Sequence, residues 1–503
     1  MGLTRINSVS IRCAITAIWL LTFGWLLRFE AFPEYFTHTL SGYKGLLSND
    51  VLIQDSWMKI TFSGAPIGYS HTTVETQEDH PLAFYRVLNR SYMRLTVMGI
   101  AQPIYVDTEA QVDISQTLQG FNFAMSSRSH KVNIEARRRT GDTFDVKITT
   151  GHTVQHTQVE VPPDVVLYSP MTEMGLRRLK PGQALTIRTL DPASLSPVNL
   201  NVKAIRRETL RVGENDYETT LLEMAYQGAT IKSWLDDKGV MVRQETPFGW
   251  TMETCSATEA FDAVSHKESA PDILAALAVR CHGVISDPRN TTRVTYRVRG
   301  VDMGPESWRT SRQIADVGDD GFVTLTVNAS SASAPDEALP AGHVFLKATS
   351  FVQSDHEALR SKAAEITKSA RSPAEKADVI FDWVYENVRK EPTVSLPSAV
   401  DVLKTMVGDC NEHTYLYVGL ARAAGLPAKI MVGLAYHKGA FYYHAWPAVY
   451  VGHWVEMDPT WGQRYVDATH IRITEGELAS QLELVQTVGM LSLEIVEQEQ
   501  ATY

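Results

Sequence analysis

A thiol, an imidazole and a carboxylate, the set that cysteine acyl-transfer chemistry requires, follow one another in the chain as Cys410, His444 and Asp458. Cys410 stands in Val407-Gly408-Asp409-Cys410-Asn411-Glu412-His413-Thr414, directly before the apolar run Leu416, Val418, Leu420, Ala421 and Ala424, which Gly425 and Pro427 close. This pattern predicts a helix over about 410–424, with Asp409 as its N-cap and Gly425 as its stop. A cysteine in the first turn meets unpaired backbone N–H groups and the positive end of the helix dipole, and both favour thiolate over thiol. Its own N–H is also one donor for a developing oxyanion.

Beyond the helix, 429–436, 441–451 and 453–458 are rich in aromatic and β-branched residues and are punctuated by Gly439 and Gly452, which predicts three antiparallel strands. Position 451, midway between His444 and Asp458, falls on the second turn, so the two should face each other or lie one register step apart. The aspartate would then accept from one imidazole nitrogen and leave the other for the thiol. Alone, a buried cysteine or a strand histidine is more often structural. In this order and spacing the chemical reading leads. A metal site is its sharpest competitor, because Cys410 and His413 share a helix face and His437, His444 and Asp458 could add ligands. A closed zinc site would consume the thiolate and imidazole, and no Cys-x-x-Cys pair supports it.

Four segments resemble the transglutaminase-like superfamily over about 373–475. They are Gly408-Asp409-Cys410-Asn411-Glu412-His413, Arg422-Ala423-Ala424-Gly425-Leu426-Pro427-Ala428, Tyr443-His444-Ala445-Trp446 and Glu456-Met457-Asp458-Pro459-Thr460. The resemblance implies a papain-like α+β domain in which Cys410 is the nucleophile, His444 the general base and then acid, and Asp458 its orienting partner. It leaves the acceptor open, since families with this core include amine-using transglutaminases, water-using peptidases and members that have lost activity. Asp467-Ala468-Thr469-His470 also resembles a segment that follows the core in bacterial members, and His470 is expected to be a structural hydrogen-bonding residue. Some relatives use calcium; no clear acidic cluster is present here, and no metal or cofactor is expected. Asn387 and Asn411 are the candidates for a second oxyanion donor.

The elements that must position these residues begin with a helix near 355–369, followed by Ser372-Pro373-Ala374-Glu375, which reads as a capping box opening a second helix. Apolar residues at 377, 380, 381, 384 and 388 trace the face that should pack beside the Cys410 helix, with Trp383 expected in the core. Upstream, 50–262 alternates with period two, and 132–136 pairs naturally with 144–148 across Thr140-Gly141-Asp142. Further hairpins are expected at 212–215 and 236–239, and a short helix at 170–179. The turns at 64–69 and 234–240 are similar to those of periplasmic β-domains of the lipoprotein-carrier type. A large, curved antiparallel sheet follows from this pattern, its apolar face read as core. Residues 263–271 read as a linker, 275–345 as a small β-sandwich-like module, 330–340 as a loop, and 476–503 as an acidic tail that adds strands or frays.

At 503 residues the chain exceeds one compact core. Its 47 basic and 58 acidic residues, net −11, argue against a nucleic-acid partner. Arg5 and Arg12 precede a charge-free stretch over 13–27, about 15 residues or roughly 22 Å as a helix, which reads as an uncleaved membrane anchor ahead of a cleaved secretory signal. Cys255 and Cys281 could pair in an oxidising compartment or remain two free thiols. The expectation is therefore an α+β chain with an anchor at 1–30, an antiparallel β domain at 50–262, a small β-sandwich-like domain at 275–345 and a transglutaminase-like domain at 355–480. Its expected work is amide-bond hydrolysis on peptides or proteins outside the cytoplasm, ahead of amine transfer. A non-catalytic protein that binds peptide, lipid or cell-wall material is the alternative.

Overall fold

The computed structural model describes 54–501, leaving out 77–84, 129, 152, 168–175, 177–178, 227–228, 248, 266–270, 301–304, 319–321, 332–338, 340–343 and 478–490, and before it describes 22, 38–39 and 42–43. The anchor expected at 13–27 lies outside the described residues, as does most of the helix expected at 170–179. Among the described residues no helix is long and apolar enough to cross a membrane.

The period-two region forms a 16-stranded sheet. Two antiparallel meanders, one from Gln54–Phe62 to Thr153–Glu160 and one from Ala184–Asp191 to Trp250–Cys255, join where Trp250 pairs with Phe62. The alternation sets the register as expected, with Ile134 opposite Ile148, Ala136 opposite Val146 and Val212 opposite Asn215. Ile134, Ala136, Phe144, Val146 and Ile148 all point into the core. The expected linker begins later than the composition suggests, because Ser256 and Glu259 cap a helix over Ala257–Ser265 that packs on the outer face of the sheet.

A second sheet of nine strands holds the site. Its order runs Gln313–Val317, Val323–Asn328, Thr291–Arg299, Ser492–Gln500, Val279–His282, Ala440–Tyr450, Ala428–His437 and His470–Glu475, with Trp454–Glu456 paired to Ala440–Tyr450. The strands expected to make a separate β-sandwich-like module are thus four of the nine in the sheet that also carries His444. Period two identifies a strand but not its neighbour, and here the neighbour comes from the tail. Ser492–Gln500 pairs antiparallel with Thr291–Arg299 and parallel with Val279–His282.

Of four helices, Glu357–Ile366, Pro373–Asn387, Ala399–Thr405 and Cys410–Ala423, the last packs directly on the strands Ala428–His437 and Ala440–Tyr450, and the other three pack around it. The Cys410 helix is buried from Glu412 to Ala421, which explains why its apolar residues are not confined to one stripe. Ser372 caps its helix through the Glu375 N–H at 3.1 Å, while the Glu375 carboxylate reaches the Arg371 N–H. Trp383 is half-buried against the core, as expected. The large sheet braces these helices: Lys404 Nζ donates to Thr153 Oγ1 at 2.8 Å, and Gln102 Nε2 to Pro392 O at 3.1 Å. Cys255 and Cys281 are free thiols, both pushed up to about 11 by burial.

Candidate active site

The start of the Cys410 helix is fixed by its own sequence. Asp409 Oδ1 accepts the Asn411 N–H at 2.9 Å, and Glu412 Oε2 accepts the Asp409 N–H at 2.9 Å, a reciprocal box that satisfies two of the otherwise orphaned donors. Glu412 also receives the hydroxyls of Thr393 and Ser395. Burial, and then the charge of Glu412, raise the Asp409 carboxyl well above its usual range. Glu412, which receives more donors, is held below its usual range despite its burial. Gly408 makes the arrangement sterically possible, because a Cβ there would lie 2.1 Å from Glu412 Cβ.

The first turn of this helix is fastened to the strand that carries His444. The Ala445 N–H faces the Cys410 sulfur, Thr414 Oγ1 donates to Ala445 O at 3.1 Å, and the Tyr443 hydroxyl donates to Asn411 Oδ1 at 3.1 Å. Cys410 is half-buried and keeps solvent contact. His444 is buried, with Nε2 2.9 Å from Asp458 Oδ2. Asp458 Oδ1 accepts the N–H groups of Thr460 at 2.8 Å and Trp461 at 3.1 Å. An ionised carboxylate can only accept, so His444 carries its proton on Nε2 and presents an Nδ1 lone pair. The Trp461 ring stacks on His444 at 4.3 Å.

Two expectations are corrected here. The hairpin pairs Ala448 with Glu456 and Tyr450 with Trp454, which centres its turn on 452 instead of 451 and ends the strand before Asp458. Asp458 reaches His444 from a loop that its own backbone closes through Gln463. The thiol is also not biased toward thiolate. Burial first, then the charge of Asp409, push Cys410 well above the ordinary thiol range, and the Ala445 N–H offsets only part of this. Burial likewise lowers His444, against the pull of Asp458. Both shifts favour a resting pair of neutral thiol and neutral imidazole.

The transglutaminase-like superfamily model matches residues 360–459. This chain carries a transglutaminase-like domain. An uncharacterized protein of Haemophilus influenzae is 30% identical over 111 residues, 19% of this chain and 30% of that protein, so the chain covers under a third of that relative's length. Among solved structures, a candidate cysteine protease from Cytophaga hutchinsonii is 19% identical over 41% of this chain and 86% of its own, with a TM-score of 0.29. The periplasmic domain of TgpA from Pseudomonas aeruginosa, bound to ethylmercury, is 14% identical over 35% of this chain and 93% of its own, with a TM-score of 0.21. A candidate protease from Parabacteroides distasonis is 11% identical over 84% of this chain and 71% of its own, with a TM-score of 0.20. At such scores these likenesses carry no argument about function.

Within the transglutaminase-like domain, the ligand set imagined for a metal is dispersed. His413 turns Nδ1 to Asp409 O at 2.7 Å, and His437 is exposed at the far side of Trp461. His444, Asp458 and His470 do bring three ligand-type atoms within 4.8 Å of one another. However, the 2.9 Å contact between His444 and Asp458 is shorter than the spacing of about 3.4 Å between two donors on one tetrahedral zinc ion, and it fits a hydrogen bond. Asn387 spends its amide on Trp383 O in its own helix, whereas Asn411 lies next to Cys410 with its carbonyl taken by Tyr443. Sequence reasoning missed Trp461, Tyr443 and Arg289, whose guanidinium lies 4.1 Å over the Trp461 ring. For Trp461 a signal was present, its place three residues after Asp458; for Arg289 there was none, because its contact spans two distant segments.

Proposed function

We propose that this protein is a cysteine-dependent acyl-transfer enzyme that cleaves amide bonds of peptides or proteins. The observation that carries this reading is the buried hydrogen bond from His444 to Asp458, with the strand of His444 turning the Ala445 N–H to the Cys410 sulfur. His444 Nδ1 takes the thiol proton as sulfur attacks the carbonyl carbon, and the oxyanion that forms meets the Cys410 N–H. Asn411 supplies a second donor through its amide NH2, since Tyr443 already occupies its carbonyl. The imidazolium, stabilised by Asp458, returns the proton to the departing amine and leaves a thioester. Hydrolysis of the thioester is favoured over amine transfer because water needs no second binding site. The basic-flanked stretch at 13–27 supports an anchored protein with its bulk outside the cytoplasm.

The test combines reactivity with product analysis. Iodoacetamide should label Cys410 near neutral pH and do so far more slowly after His444→Ala. Asp458→Asn, which permits the wrong tautomer, should lower kcat/KM on a casein-derived peptide mixture by about 10⁴-fold. Mass spectrometry of the products distinguishes free acids from amine adducts. Labelling that ignores His444 would sink the enzyme reading in favour of a binding protein.

A further inference from the structure

Asp458 is shared between two imidazoles. Its Oδ2 lies 2.9 Å from His444 Nε2 and 3.3 Å from His470 Nε2. The other nitrogen of His470, Nδ1, lies 3.2 Å from Asp467 Oδ1. Asp467 is surrounded by donors: Arg289 Nη1 at 2.7 Å, Gln463 Nε2 at 2.7 Å, and the N–H and hydroxyl of Thr469. It is therefore an anion, as Asp458 is. A ring whose two nitrogens both face carboxylate oxygens satisfies both contacts only when both nitrogens carry protons.

We propose that His470 is a standing imidazolium and a positioning residue for the proposed reaction: it clamps Asp458 and, by taking half of that oxygen, sets how strongly His444 holds a proton. The inference rests on the enzyme reading only for its consequence in catalysis; its protonation and its effect on His444 are properties of the folded chain. The charged groups that bear on the ring among the described residues come from several elements. Asp458 and Asp467 face its nitrogens, Arg289 backs Asp467, His444 shares Asp458, and Arg312, paired to Glu456, donates to the His470 carbonyl oxygen at 3.2 Å. The Trp446 and Trp461 rings meet its edge, at 5.2 and 5.6 Å between centroids. Burial alone would strip the ring of its proton, but Asp467, then Asp458, outweigh burial and raise its pKa. In turn the charge of His470 opposes protonation of His444. A base kept less avid in this way stays free to accept from a thiol.

The experiment titrates histidine-selective 13C-labelled protein by NMR in a Cys410→Ala background, where no thiol couples to the ring. Spectra of His444→Ala and His470→Gln variants identify the two signals. Adding His470→Gln should move the His444 midpoint to higher pH by about half a unit or more, and the His470 midpoint should lie above the ordinary histidine value of about 6.5. A merely structural residue would leave the His444 midpoint in place. An unchanged or lowered His444 midpoint, or a His470 midpoint at or below the ordinary histidine value of about 6.5, overturns the proposal. If His470→Gln does not fold, the Cys410→Ala spectrum alone decides by whether the His470 midpoint lies above that value. Iodoacetamide labelling in protein that retains Cys410 judges the enzyme reading separately, so either can fail without the other.

Discussion

At the level of single residues, the proposed chemistry depends on two groups that burial makes electrically quiet. Burial raises Cys410 and lowers His444, which favours the neutral form of each at rest, and in the proposed reaction the proton moves as the sulfur forms its bond. The consequence for pH is definite. A general base must be neutral, and a histidine whose pKa is depressed stays neutral to lower pH than usual. The acid limb of kcat/KM should therefore lie below about pH 6.5, the ordinary histidine value, and activity should rise through it with increasing pH. A pH–rate profile on any accepted peptide checks this; a limb at or above that value would point instead to a preformed thiolate–imidazolium pair. Asp458 does not limit this range, because His444 and then His470 outweigh burial and hold its carboxyl far below the usual carboxylate region.

Among elements, what was legible in the sequence is what local chemistry decides. Asp409, Glu412 and the stop after Ala424 mark the Cys410 helix, since caps satisfy backbone groups only a few residues away. Alternation fixed strand faces in the large sheet for the same reason. Of the two registers expected for the His444 hairpin the structure takes the one a step from direct opposition, because its turn centres on Gly452, at φ 114°; that the strand ends before Asp458 was not legible. His470 was read as a structural hydrogen-bonding residue; the partners that charge it, Asp458 and Asp467, come together only through the loop between them. A tight constraint at the start of the Cys410 helix is Gly408. Alanine there would drive its Cβ into the Glu412 side chain, displacing the carboxylate that caps Asp409. Gly408→Ala should destabilise the C-terminal domain by about 1–3 kcal/mol and lower activity in parallel, read from its melting transition and Cys410 labelling. Unchanged melting would show that Glu412 can move aside.

In the whole molecule, the site belongs to one sheet assembled from three stretches of chain, 279–328, 428–475 and 492–500. The buried pair between Arg312 and Glu456, 2.7 Å apart, binds the first stretch to the second, and Trp446 Nε1 donates to the same carboxylate at 2.8 Å. Removing one partner of such a pair leaves the other charge buried and unpaired. Arg312→Ala should therefore cost about 3–5 kcal/mol, measured by denaturant unfolding followed at the tryptophans of 446–461. A loss below about 1 kcal/mol would mean that Glu456 escapes to water or takes up a proton. Sequence reading separated these stretches because each is coherent within itself, while the contacts that unite them are far apart in the chain.

The strand Ser492–Gln500 lies between Thr291–Arg299 and Val279–His282, and Val279–His282 in turn borders the strand of His444. During synthesis, an interior slot of this sheet stays vacant until 492–500 leave the ribosome, because among the described residues no earlier segment pairs there. Completion of the sheet is thereby deferred, and the proposed cleavage activity would be withheld from the nascent chain.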